Sequence, residues 1–96
     1  MRRVCVVSYD ICDPKRWRHV YRIMRGFGEH LQLSVFLCDL PPIERVRMVA
    51  ALEGVIDHGE DQVLVIDLGA TETSPVKSIA AVGRPLDVRE RGSIVV

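Results

Sequence analysis

The sequence is poor in features that define several large protein classes. Aromatic residues make up only 5% of the 96-residue chain, so the core must rest on Val, Ile and Leu. No apolar run approaches the roughly 20 residues that a membrane helix needs. The apolar stretch near the amino terminus meets Asp10 too early for a signal peptide. We therefore expect one cytoplasmic domain with no membrane contact.

Cysteine is sparse and irregularly spaced. Cys5, Cys12 and Cys38 show no C-x-x-C spacing and are odd in number, which argues against a disulfide framework or a zinc site. The three histidines lie on different predicted elements, and no Ser-His-Asp set, P-loop or dinucleotide fingerprint can be assembled. Single carboxylates remain the main candidates for chemistry.

The net charge of zero hides an uneven distribution. Residues 1–25 carry seven Lys/Arg and two acids, residues 26–75 carry two and nine, and residues 76–96 carry four and two. A basic first quarter is what a phosphate-binding face needs. The same arginines would also serve to solvate a helix and a chain terminus, so both interpretations stay open.

Apolar periodicity predicts strands and helices in alternation. In order, these are a strand over Arg3–Asp10, a helix opened by Asp13-Pro14, a strand over His30–Leu40 ended by Pro41-Pro42, a helix carrying Met48, Val49, Leu52, Val55 and Ile56, and a strand over Gln62–Gly69. Ser78–Val82 and Ser93–Val96 are predicted as short further strands.

The first predicted helix is amphipathic. Its apolar stripe consists of Trp17, Val20, Tyr21, Met24 and Phe27, and its arginines lie off that stripe. Gly28 supplies a residue that tolerates positive φ just past the last turn, so we expect it to end the helix.

This order of elements predicts an α+β sandwich of the ferredoxin-like βαββαβ type, with two helices on one face of the sheet. That fold needs two strands between its helices. Either Glu29–Leu40 breaks into a hairpin near Gln32–Ser34, or the carboxyl-terminal pieces complete the sheet. Phe36, Cys38 and the Gln62–Gly69 strand are expected to give the opposite face apolar residues, which a second copy of the chain would cover.

Asp10 is the first candidate for chemistry because it stands where the first strand ends. The alternative is a loop-entry aspartate that accepts local backbone amides. Asp13 precedes a proline and is a helix cap first. If two copies placed their Asp10 carboxylates about 4 Å apart, they would repel by roughly 4 kcal/mol at an effective dielectric near 20. A shared proton or Mg²⁺ would relieve this, and Mg²⁺ would also polarise a phosphodiester and activate water.

Four segments together resemble the CRISPR-associated protein two family, the small subunit of spacer acquisition. They are Tyr9-Asp10-Ile11, the arginine-bearing helix that follows, Gln32-Leu33-Ser34-Val35-Phe36, and the Asp61–Leu68 strand. The resemblance spans roughly residues 3–70. It implies a single ferredoxin-like domain over residues 1–96 with a short extra carboxyl-terminal strand, in which residues 71–96 pack on the partner of a homodimer.

The same resemblance implies a function. Asp10 from both subunits would face the twofold axis and bind one Mg²⁺, and the dimer would be a metal-dependent endonuclease acting on RNA or DNA. The dimer would also bridge two dimers of the CRISPR integrase subunit and hold the DNA to be inserted. Tyr9, Arg16, Arg18 and Phe36 fall near positions implicated in activity or nucleic-acid binding.

Two other functions stay open. The first is a non-catalytic, DNA-binding architectural subunit of the integration complex, whose arginines follow a DNA backbone while Asp10 is structural. The second, apart from the resemblance, is a ferredoxin-like regulatory module that binds a small effector at a dimer interface, although no distinctive ligand loop is present.

Overall fold

Residues 1–70 fold into a four-stranded antiparallel sheet with two helices. A computed structural model describes residues 1–70 and 79–86. Its elements are β1 (Arg3–Asp10), α1 (Pro14–Arg25), β2 (Glu29–Gln32), β3 (Val35–Leu40), α2 (Pro42–Glu53) and β4 (Gln62–Gly69). The strand order in the sheet is β2-β3-β1-β4. This arrangement confirms the predicted ferredoxin-like fold.

The segment between the helices is a hairpin, so the first of the two alternatives is correct. β2 and β3 pair antiparallel, and the turn between them includes Leu33, which has a φ of 35°. Positive φ is uncommon for residues other than glycine. Because no glycine or asparagine marks this turn, the alternating pattern of His30–Leu40 resembles one continuous strand.

Helix α1 begins as predicted but ends earlier. The Asp13 carboxylate accepts a hydrogen bond from the Arg16 backbone N–H at 2.9 Å, which caps the helix, and Gly26 is the residue at its carboxyl-terminal cap. Gly28 is not among the positive-φ glycines. A Cβ at Gly28 would lie 2.5 Å from the Cys38 Sγ and 2.7 Å from the Leu37 carbonyl oxygen. Gly28 therefore permits close approach to β3 and does not terminate the helix.

Helix α2 begins directly after β3. Pro41 is its N-cap residue and Pro42 its first helical residue, where a missing N–H costs little. Met48 and Leu52 are buried. Each helix is 12 residues long, and no helix in residues 1–70 or 79–86 is long and apolar enough to cross a membrane.

The core lies between the two helices and one face of the sheet. Its fully buried side chains are Cys5, Val7, Val20, Met24, Phe36, Cys38 and Met48. The placement of Phe36 and Cys38 on the opposite face is thus wrong. Phe36 pairs with Val7 and Cys38 with Cys5, on the side that faces the helices. Both alternating sets of β3 contain apolar residues, so the pattern alone did not distinguish the two faces.

The face away from the helices, here called the open face, exposes apolar side chains of β4. Leu64 and Ile66 are each 48% exposed and Leu68 is 59% exposed. This confirms that β4 is apolar on both faces. Asp10 pairs with Gln62, which lies on the same face of β4 as Leu64 and Ile66 because the three residues are two positions apart. Asp10 therefore projects from the open face, beside these side chains.

The sequence also predicts two short strands near the carboxyl terminus. Residues 79–82 form no strand in the structure, contrary to the prediction for Ser78–Val82. The predicted strand at Ser93–Val96 and most of the segment expected to pack on a partner lie outside the described residues.

Candidate active site at the end of strand β1

The Asp10 carboxylate is exposed and unengaged. Within the described part of the chain it makes no hydrogen bond or ion pair, so the alternative that it caps local amides finds no support. Among residues 1–70 and 79–86, no three His, Cys, Asp or Glu side chains form a group that could hold a metal ion. One chain therefore contributes a single carboxylate, and Mg²⁺ accepts one or two carboxylates together with waters.

A second carboxylate, that of Asp61, secures the loop that follows Asp10. Its side chain is 0% exposed. Oδ1 accepts from the Cys12 backbone N–H at 2.9 Å and from Arg16 Nη2 at 3.2 Å, and Oδ2 accepts from the Asp57 backbone N–H at 2.8 Å and from Arg16 Nε at 2.7 Å. The Arg16 hydrogen bond is the main reason that the pKa of Asp61 lies well below its usual range.

Arg16, a predicted nucleic-acid ligand, is committed to this network. Its guanidinium grips Asp61 in a bidentate pair and reaches Glu60 Oε1 at 3.3 Å. The hydrogen bond to Asp61 raises the pKa of Arg16 above its ordinary value. A phosphate at this guanidinium would have to compete with a buried carboxylate, which strongly favours the internal pair.

Arg18 lies on an exposed basic surface of α1. Lys15, Arg18 and Arg22 recur at helical spacing and are all exposed, and the helix contains no acidic residue. None of the three takes part in an ion pair within the described residues. These side chains, here called the α1 basic face, are therefore available to an external anion.

Tyr9 and Phe36 are buried in an aromatic cluster. Phe36 is fully buried and Tyr9 nearly so, and their rings stack with centroids 6.2 Å apart. Burial raises the pKa of Tyr9 to about 12. The predicted direct contact of these rings with nucleic acid therefore conflicts with their packing, and their role is to support the end of β1 from beneath.

Ser34 connects two of the four segments on which the family resemblance rests. Its carbonyl oxygen accepts from the Tyr9 backbone N–H at 3.1 Å, and its hydroxyl accepts from Trp17 Nε1 at 3.1 Å. The Tyr9-Asp10-Ile11 and Ser34-Val35-Phe36 segments are thus neighbours on adjacent strands. The Tyr9–Ser34 hydrogen bond therefore joins the two segments in the fold.

Cys12 lies two residues after Asp10 but is not an activated nucleophile. Its thiol donates to the Glu60 carbonyl oxygen at 3.0 Å. Burial, followed by the nearby charges of Asp61 and Asp10, raises the pKa of Cys12. The thiol therefore stays protonated near neutral pH, and thiolate chemistry is disfavoured.

Asp61 is the site residue that sequence reasoning missed. The only available signal was an aspartate directly before the β4 strand, off every apolar stripe. Its main partner, Arg16, lies 45 positions earlier in the chain. No local spacing rule connects residues this far apart.

Fold and site together define a class, small ferredoxin-like proteins with a free carboxylate at the end of the first strand and a basic first helix. The family model described as CRISPR associated protein Cas2 matches residues 1–75. The chain belongs to the Cas2 family.

Its relatives include two curated proteins. The CRISPR-associated endoribonuclease Cas2 1 of Rhodospirillum rubrum is 42% identical over 91 residues, which is 95% of this chain and 88% of that protein. The CRISPR-associated endoribonuclease Cas2 of Geobacter sulfurreducens is 41% identical over 96 residues, all of both chains. Among solved structures, Streptococcus pyogenes Cas2 superimposes with a TM-score of 0.70 at 27% identity, covering 83% of this chain and 99% of that one.

Proposed function

We propose that this protein is a homodimeric, Mg²⁺-dependent endonuclease of CRISPR spacer acquisition that hydrolyses phosphodiester bonds in RNA or DNA. The observation that carries the proposal is the position of Asp10 at the end of β1, on the open face beside exposed Leu64 and Ile66, where its carboxylate has no partner among the described residues. The names of the relatives, which are endoribonucleases, support the reaction class.

The open face supports the homodimer. Exposed apolar side chains in a contiguous row are typical of an association surface, and β4 supplies three of them, Leu64, Ile66 and Leu68. A second copy packed on this face by a twofold axis would bring its own Asp10 to the same interface. Two neighbouring carboxylates need a proton or a cation between them.

The donor set suits a cation shared by two chains. Asp10 from each copy would hold Mg²⁺, and the remaining ligand positions would belong to water and phosphate oxygens. When bound there, Mg²⁺ supplies Lewis acidity toward the phosphodiester and lowers the pKa of a bound water. The α1 basic face, which begins five residues after Asp10, would neutralise neighbouring phosphates.

Tyr9 and Cys12, which flank Asp10, are unsuited to replace it in hydrolysis. Tyr9 is buried and its pKa is about 12, so it stays neutral and is a poor general base. The Cys12 thiol stays protonated and donates to a backbone carbonyl. Asp10 is consequently the residue on which hydrolysis depends.

The second candidate is a non-catalytic DNA-binding subunit that bridges two dimers of the CRISPR integrase. The α1 basic face favours it, because three exposed cations on a helix without acids suit a DNA backbone irrespective of any metal. In this case nucleic-acid binding does not depend on Asp10.

The deciding experiment compares wild type with Asp10→Asn on labelled RNA and duplex DNA, with Mg²⁺ and with EDTA, recording cleavage and binding together. Cleavage that is lost in the variant and in EDTA establishes the endonuclease. Binding that is unchanged in the variant, with no Asp10-dependent cleavage of either substrate, establishes the architectural subunit instead.

A further inference from the structure

Two carboxylates at this end of the sheet have opposite surroundings. Asp10 is exposed and has no side-chain partner among the described residues, so only its backbone determines where the carboxylate stands. Asp61 is enclosed and accepts four hydrogen bonds. A carboxylate that must meet its counterpart across a twofold axis has to be held in a fixed position by the residues around it.

Asp61 is connected to Asp10 by two short paths, one through the loop after Asp10 and one through strand β4. On one side, its Oδ1 accepts from the backbone N–H of Cys12, two residues after Asp10. On the other side, Asp61 directly precedes Gln62, the cross-strand partner of Asp10 in β4. One buried carboxylate thus joins the loop that leaves Asp10 to the strand that lies against it.

Arg16 and Asp57 complete the support. Arg16 Nε and Nη2 grip both oxygens of Asp61 and attach the first turn of α1 to the same point. The Asp57 backbone N–H adds the loop that leads from α2 into β4. All four hydrogen bonds are between 2.7 and 3.2 Å long. Bidentate arginine pairs restrict geometry more strongly than single contacts.

We propose that Asp61 and Arg16 form a positioning pair that holds the Asp10 carboxylate in place for phosphodiester hydrolysis. Arg16 on this account acts through Asp61 and is not a phosphate ligand. The proposal rests on the endonuclease function, which it deepens by assigning a role to two residues outside the reacting centre. Misplacement of a reacting group by about 1 Å costs roughly 100-fold in rate.

The test is a double-mutant cycle with steady-state kinetics. Asp61→Asn removes the charge and presents an amide N–H to groups that donate hydrogen bonds. Arg16→Lys keeps the positive charge but loses the planar fork. Each change is expected to lower kcat on the order of 100-fold with KM nearly unchanged. The double variant is expected to be no slower than either single variant, because both act on one unit.

Asp67→Asn is the matched control. Asp67 binds Arg3 at 2.8 Å and joins the same two strands, β1 and β4, at the end opposite Asp10. The kcat of the Asp67→Asn variant is expected to equal that of wild type. If Arg16→Lys instead raises KM and weakens nucleic-acid binding while Asp61→Asn leaves kcat unchanged, Arg16 is a phosphate ligand and the proposal is overturned. If Asp61→Asn does not fold, Arg16→Lys alone gives the answer. A lower kcat with an unchanged KM supports the positioning role, and a raised KM with an unchanged kcat overturns it.

A second measurement separates this proposal from the endonuclease function. If wild type shows no Asp10-dependent cleavage, backbone order parameters of residues 10–13 report the support directly. They are expected to fall from about 0.85 toward 0.6 in Arg16→Lys and Asp61→Asn, but not in Asp67→Asn. Unchanged order parameters in all three variants would overturn the positioning role.

Discussion

At the scale of single residues, the surroundings of each aspartate determine what it can do. The Asp10 carboxylate has no partner among the described residues, whereas Asp13 caps a helix and Asp61 accepts four hydrogen bonds. Sequence reasoning identified Asp10 and the Asp13 cap from their places relative to a strand and a proline. It missed Asp61, because its role depends on a partner distant in the chain.

The buried pair makes stability depend on pH in a defined direction. The folded-state pKa of Asp61 lies below its unfolded value of about 3.9. Its contribution is therefore complete above that unfolded value and is lost as the pH falls toward the folded pKa. We expect the difference in unfolding free energy between wild type and Asp61→Asn to be constant from pH 7 to about 5 and to shrink below about 4.

Urea denaturation at a series of pH values measures this difference in unfolding free energy. The same measurement on Asp67→Asn, at the other end of β4, gives the pH dependence of an exposed ion pair for comparison. A difference between wild type and Asp61→Asn that stays constant down to pH 2 would contradict the assignment of the depressed pKa to Asp61.

At the scale of elements, the sequence predicted β1 and β4 to the residue and α1 at its start. These elements have unbroken apolar runs or a proline-marked cap, so local signals suffice. The β2–β3 turn was only one of two alternatives, since no turn residue marks it. The face of β3 was predicted wrongly, and with it the accessibility of Phe36, because that strand is apolar on both sides.

Gly28 provides a test of how α1 is joined to the sheet. A methyl group there would meet the Leu37 carbonyl oxygen at 2.7 Å, and backbone moves less readily than a side chain. Gly28→Ala is expected to lower the free energy of unfolding by about 1–3 kcal/mol, as overpacking usually does. Gly54→Ala is the control, because the nearest atoms to its added Cβ lie at 3.6 and 3.7 Å. Equal effects of the two changes in urea denaturation would show that close packing is not the reason for Gly28.

The α1 basic face predicts the salt dependence of nucleic-acid binding. Each phosphate contact contributes about 0.9 to the slope of log K against log salt concentration for duplex DNA. Arg18→Gln is expected to reduce that slope by about 0.9. Arg47→Gln is the control, since this arginine of α2 is paired with Glu44 at 2.6 Å. If Arg47→Gln reduces the slope as much as Arg18→Gln, the binding surface is not α1.

At the scale of the whole molecule, the two faces of the sheet have different tasks. One is covered by α1 and α2, and the other presents Leu64 and Ile66 beside Asp10. The sequence indicated an uncovered face from the order of elements alone. It placed the wrong β3 residues there, and the structure assigns the exposed surface to β4.

The homodimer can be tested on this surface. Ile66→Asp would bury an unpaired charge in the interface, which costs several kcal/mol. We expect it to raise the dimer dissociation constant by on the order of 100-fold in sedimentation equilibrium. Val46→Asp is the control, because this side chain is 63% exposed and lies on α2, on the opposite side of the sheet from the open face. A dimer that tolerates Ile66→Asp unchanged would place the interface elsewhere.

The most direct test of shared catalysis is the cleavage rate of mixed dimers. Wild-type and Asp10→Asn chains are mixed in varying ratios and allowed to exchange subunits, at constant total protein. If both Asp10 carboxylates must hold one cation, only the wild-type homodimer is active, and an equal mixture retains about one quarter of the wild-type rate. An equal mixture that retains about one half would show that each Asp10 acts independently, which contradicts a site shared across the twofold axis.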